Sequence, residues 1–219
     1  MLETTFCFKK EASPVSRALT AAVGMCLFAL FVHGTYPLKA LSALGLGLTL
    51  LTLLSDLRME TSPAVLMGLE QFSKRVFVFS ACGIVFGCAL GIFYRWGYGM
   101  ELFPRAFGIF APVAVLIGAT EEVLYRGYIQ GRVHEFGPFR AAAFAALCHT
   151  AYKCALFVFH NQPVDIHMCL LGICTFAVGL ALGVLRERAG SLLPAVAAHV
   201  VFDILAYGAY AQAPWWVWS

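Results

Sequence analysis

The sequence predicts an all-α polytopic membrane protein, about seven transmembrane helices around a polar cluster inside the bundle. Three observations carry that prediction. Of the 219 residues 61% are hydrophobic and only 12% charged, with a mean hydropathy of +0.81; a soluble domain carries about 25% charged residues. The apolar residues fall in runs long enough to cross hydrocarbon, separated by short segments rich in Gly, Pro and charge. The charges are too sparse to line the lumen of a β-barrel, where polar side chains recur at alternate positions. A net charge of +3 without a basic cluster gives no case for a nucleic acid partner. The lipid bilayer is the partner that composition demands.

Residues 1–17 are polar, with Lys9, Lys10 and Arg17, and 18–32 are apolar. No small-x-small cleavage site ends that run and further spans follow, so it reads as a retained first helix. Residues 38–54 form the second span. A polar connection, 55–75, contains Pro63 and a short interfacial helix over 64–69. The third span is 76–94, and 95–105 carries Trp96, Tyr98 and Phe103, an aromatic belt. The fourth runs from about 106 to 129, with a kink expected at Pro112. A turn over 131–138 leads into the fifth span, 140–159, and the sixth follows at 167–185. Arg186, Glu187 and Arg188 close the sixth; Gly190 and Pro194 mark the turn into the seventh, 192–210. Trp215, Trp216 and Trp218 make the tail an interfacial anchor. The chain divides into 1–104 (helices 1–3), 105–210 (the core that carries the polar cluster) and 211–219 (the tail).

With seven spans, the segments on the side of the N-terminus hold Lys9, Lys10, Arg17, Arg58, Lys74, Arg75, Arg132, Arg140, Arg186 and Arg188, against Lys39, Arg95 and Arg105 opposite. The positive-inside rule then expects a cytoplasmic N-terminus and an outside C-terminus in the cell (inner) membrane. The eight cysteines form no C-x-x-C pair and mostly lie in apolar runs. They read as small buried residues rather than a disulfide framework or zinc ribbon. Oligomeric state is not legible.

The core is organised around Glu121-Glu122-Val123-Leu124-Tyr125-Arg126, at the end of a run without charge. A charged side chain at a helix centre costs roughly 2.5–3.5 kcal/mol. Glu122 and Arg126 are four apart and share a face, so they pair; Glu121 has no cation at that spacing and is expected to stay free. The fifth span adds His149 and, four on, Lys153; the seventh adds His199 and, four on, Asp203. At about 1.5 Å per residue, Glu121, His149 and His199 lie roughly 10–14 Å from one membrane face. Lys153 is assigned no catalytic role and reads as a side chain that snorkels or pairs with a carboxylate.

A carboxylate and a His facing one water can take its proton, and a second His can donate to the oxyanion of a tetrahedral intermediate. That is peptide hydrolysis without a covalent intermediate. The same Glu121, His149, His199 and Asp203 can instead be drawn as ligands of zinc or another divalent ion, assembled across helices because no H-E-x-x-H motif is present. A non-catalytic membrane scaffold or immunity protein, with the cluster as packing glue, is the alternative from another class. A small transporter is disfavoured because no internal repeat is visible.

E-E-x-x-x-R at Glu121, Glu122 and Arg126, then His149, then H-x-x-x-D at His199 and Asp203 after Ser191-Leu192-Leu193-Pro194, resembles the CPBP family. That family comprises the CAAX prenyl protease 2 (Rce1-type) and bacteriocin-processing, Abi-type intramembrane endopeptidases. The resemblance covers roughly residues 105–210. It implies Glu121 and His149 as water activators, Glu122 with Arg126 as support, and His199 with Asp203 on the oxyanion side. It further implies a membrane-anchored protein or peptide as substrate. Two departures stand out. Ala145 occupies the place of an aromatic found four residues before the family's His, with Phe144 one place earlier. The family's last position is commonly Asn. An amide donates to an oxyanion whereas ionised Asp only accepts, so Asp203 is expected to orient His199 or a water, or to bind a metal, unless its surroundings keep it protonated.

Overall fold

The computed structural model describes residues 13–69, 72–159 and 167–210; the expected tail anchor at 211–219 lies outside them. Ser13 caps the first helix by accepting from the Ser16 amide at 3.2 Å, and Pro14 occupies the first turn of α1 (Pro14–Phe31). Two helices follow, α2 (Leu38–Met59) and the short α3 (Pro63–Met67). Next come α4 (Lys74–Gly97) and α5 (Ala111–Glu122). The α5 helix continues without a break through a π-helical segment (Val123–Ile129) into α6 (Gln130–Arg132). After a 3-10 turn (His134–Phe136) come α7 (Pro138–Ala155), α8 (Met168–Ala189) and α9 (Leu193–Tyr207). No strand occurs among the described residues.

Among the described residues seven long helical runs stand where seven spans were expected, but four of them, α1, α2, α4 and α8, have the length and apolarity of a crossing helix. The other three fall short for different reasons: α9 is apolar but short, the α5–α6 run is divided by its π-helical segment, and α7 is long enough but not apolar enough. The α5–α6 run contains Glu121, Glu122, Arg126 and Arg132, α7 contains His149 and Lys153, and α9 has only 15 residues. The expected kink at Pro112 is absent. The helix begins at Ala111, so Pro112 lies in its first turn, where no backbone bond is lost.

Within lipid, apolar surfaces gain little by meeting each other, so helices pack through small residues and hydrogen bonds. In the α1–α2 pair Thr49 donates to the Ala21 carbonyl at 3.0 Å and Ser42 to that of Phe28 at 2.9 Å. Gly83, Gly87 and Gly91 form a stripe along α4 on which α9 lies. A Cβ on Gly87 would run into the Ala198 carbonyl oxygen. Ala142 and Ala146 of α7 face Gly179 and Gly183 of α8 in the same way.

Polar contacts gather at the two ends. At one, Asp56 of α2, almost fully buried, accepts from Tyr128 at 2.7 Å and pairs with Arg17 of α1 and with Arg132 at 2.6 Å. Arg132 also pairs with Glu60 at 2.9 Å. Arg186 donates to the Leu66 carbonyl at 3.0 Å, and His134 meets Glu187 at 3.0 Å. The helix expected at 64–69 is α3, and it docks on this end: the Leu192 amide donates to the Gly68 carbonyl at 2.8 Å. Arg95, bonded to the Glu101 and Leu205 carbonyls, belongs to the opposite end. The described segments that the charge pattern assigned to the side of the N-terminus therefore lie together.

Candidate active site

Three helices build the site. The last turn of α5 brings Glu121 and Glu122, α7 brings His149 and Lys153, and α9 brings His199 and Asp203. The π-helical segment supplies Arg126. Such segments widen a helix by one residue per turn and recur at functional sites. Gly118, one turn before Glu122, makes room for α9: a Cβ there would collide with the Asp203 carboxylate.

Arg126 is 0% exposed and lies at the centre. Its Nη1 donates to Glu122 Oε1 at 2.8 Å and to His149 Nδ1 at 3.0 Å. A guanidinium only donates, so Nδ1 of His149 accepts and carries no proton. The ring proton is therefore on Nε2, which donates to Glu121 Oε2 at 3.0 Å. Tyr125 lies against the same imidazole, ring centres 4.5 Å apart and 30° between planes, with Tyr152 at 6.2 Å on α7. An aromatic neighbour for His149 thus comes from the π-helical segment rather than from residue 145.

His199 turns Nδ1 to Glu122 Oε1 at 2.7 Å. A carboxylate only accepts, so Nδ1 holds the proton and Nε2 faces the interior of the site. There Nε2 is 3.8 Å from Glu121 Oε2 and 3.8 Å from Asp203 Oδ2. Glu121, Glu122, Arg126, His149, His199 and Asp203 are all brought together, and all but His199 are buried. His199 is partly exposed, its side chain at 11%, and the Lys153 side chain, at 27%, forms the most open edge.

Two expectations change and one alternative is decided. Glu121 is not free: Lys153 Nζ lies 2.5 Å from its Oε1, so both oxygens have partners. His199 makes its close bond to Glu122, whereas Asp203, expected as its partner four residues on, stands 3.8 Å away. Lys153, expected to snorkel or to pair with a carboxylate, does the second and so belongs to the cluster. The signal was present: Lys153 lies one turn after His149, on the face that meets Glu121.

The proposed zinc ligands do not fit a metal in this arrangement. Both His149 nitrogens and both Glu121 oxygens are engaged, and the ammonium of Lys153 and the guanidinium of Arg126 stand within the donor set. No group of three or more His, Cys, Asp or Glu side chains among the described residues is placed to hold an ion.

Residues 103–205 match the model of a family described as type II CAAX prenyl endopeptidase Rce1-like. All seven side chains of the cluster fall within that stretch. No curated protein and no solved structure matches the chain.

Proposed function

From the premise that residues 103–205 belong to the Rce1-like family, we propose that this membrane protein is an intramembrane endopeptidase that hydrolyses a peptide bond in or beside a membrane-anchored protein or peptide. The observation that carries the reading is the position of Glu121, a carboxylate held on one oxygen by Lys153 and on the other by His149, with Oε2 also turned toward His199.

In the proposed reaction, water enters between Glu121 Oε2, His199 Nε2 and Asp203 Oδ2. Glu121 takes a proton from it and the hydroxide forms a bond to the scissile carbonyl carbon. His149 fixes the aim of Glu121 through its Nε2–H, and Arg126 fixes the tautomer of His149. Protonated at Nε2 and held at Nδ1 by Glu122, His199 donates to the carbonyl oxygen as charge develops there. Asp203, an acceptor, orients the water and the His199 ring. When the C–N bond breaks, Glu121 returns the proton to the leaving amine. A substrate helix must unwind or end at the site, because its carbonyls are otherwise engaged in its own backbone bonds.

A farnesylated C-terminal Cys-aliphatic-aliphatic-X peptide, the substrate type in the family's description, is the first probe. In liposomes carrying the purified protein, Glu121→Ala and His149→Ala should each abolish its cleavage while inserting as the parent does. Undiminished cleavage by either variant would overturn the mechanism. A loss of thermal stability by Glu121→Ala, with no probe turned over even by the parent, would favour a scaffold.

A further inference from the structure

Lys153 stands two residues from the end of α7, one turn past His149. Helical side chains lean toward the N-terminus of their helix, which for Lys153 is toward the middle of the bundle. A lysine that only snorkels turns its ammonium to the nearer aqueous end. That of Lys153 turns the other way, 2.5 Å from Glu121 Oε1 and 5.4 Å from the Tyr152 ring centre.

The charges of the cluster give this placement its meaning. Three carboxylates, Glu121, Glu122 and Asp203, converge on two fixed cations, Arg126 and Lys153. Arg126 is committed to Glu122. The groups facing Glu121 are His149 and Lys153 from α7, His199 and Asp203 from α9, and Glu122, Tyr125 and Arg126 from its own helix. His149 cannot take up a further proton while Arg126 donates to its Nδ1. Glu121 and Asp203 crowd one nitrogen of His199, 3.8 Å from each. Asp203 thus adds an acid beside Glu121 that an amide at the same place would not.

We propose that Lys153 is a positioning residue for Glu121, and that its ammonium is the countercharge that admits a carboxylate rather than an amide at Asp203. The proposal rests on Glu121 as proton acceptor. Without Lys153, two acids share the neighbourhood of His199, and one gives up its charge or the site opens. Replacing Asp203 by Asn removes that conflict.

The test is a cycle of Lys153→Met, Asp203→Asn and the double variant, with Lys153→Arg as the conservative control. Two readouts are used: cleavage of the farnesylated peptide in liposomes, and thermal unfolding in detergent. Lys153→Met should lower kcat by about 100-fold, the lower end of what a proton-transfer group contributes, with KM little changed. Its pH–rate profile should lose the acid side, activity rising only at higher pH. Lys153→Arg should recover most of the rate. Adding Asp203→Asn to Lys153→Met should recover at least about tenfold in kcat, the acid side of the profile and part of the lost unfolding temperature, a non-additive result that marks coupling. A parental kcat in Lys153→Met, or a double variant no better than Lys153→Met in both readouts, overturns the proposal. If Lys153→Met does not fold, folding of the double variant is the same rescue, and its failure overturns the proposal too. If the parent itself cleaves no probe, the proteolytic reading fails, while thermal coupling between positions 153 and 203 still decides the charge pairing.

Discussion

Arg126→Met tests the centre of the cluster. The side chain is fully buried, and one nitrogen serves both Glu122, at 2.8 Å, and Nδ1 of His149, at 3.0 Å. Met keeps much of the length and none of the charge. Removing one partner of a buried ion pair costs roughly 3–5 kcal/mol, because the other charge is left without compensation. At about 2–4 °C per kcal/mol for a chain of this size, the unfolding temperature should fall by about 6–20 °C. Adding Glu122→Gln removes the stranded charge and should restore a large part of that loss, since deleting both partners costs far less than deleting one. Neither variant should cleave the farnesylated probe. Nδ1 of His149 has lost the donor that fixes its tautomer, and in the double variant His199 has also lost its carboxylate. Detergent-solubilised protein followed with a thiol-reactive dye reports the unfolding. A fall under about 2 °C for Arg126→Met, well below the few kcal/mol expected, would refute the central place given to this residue. So would a double variant no more stable than the single one.

Gly87→Ala should destabilise the α4–α9 contact, because its Cβ meets the backbone of Ala198 rather than a side chain that can turn away; an unfolding temperature equal to the parent's would contradict the packing described. Strict chelation should leave cleavage unchanged, and restoration of a chelated, inactive preparation by added zinc would bring the metal reading back. Cysteines placed at Thr61 and Gly99 in a cysteine-free background should label from opposite faces of sealed vesicles, Thr61 from the cytoplasmic one; labelling of both from one face would dismantle the two-ended arrangement.

What could be read in advance was whatever one helix encodes by itself. The spacing of Glu122 and Arg126 gave a pair that is present at 2.8 Å. The matching depths of Glu121, His149 and His199 gave a cluster that the three helices do assemble. Contacts between helices were harder, because they depend on how each rod is rotated. The close bond of His199 to Glu122 rather than Asp203 follows from the approach of α9 to α5 at Gly118, and no spacing within either helix records it. Lys153 is the same case: its reach across to Glu121 needs α7 and α5 side by side. The number of crossing helices was harder to read for local reasons: polar residues of the cluster make α7 less apolar, α9 is apolar but only 15 residues long, and π-helical turns divide the α5–α6 run.

The network at Asp56 has a consequence for any attempt to reduce this protein to its matched region. Residues 103–205 hold the entire cluster, yet Tyr128 and Arg132, on the same helical run as Glu121, find their acid on α2. Cut away the first hairpin and a phenol and a guanidinium are left stranded, with Arg17 gone as well from the far side of the same carboxylate. The two opening helices brace the helix that carries Glu121 through Asp56, and a shortened chain should keep them.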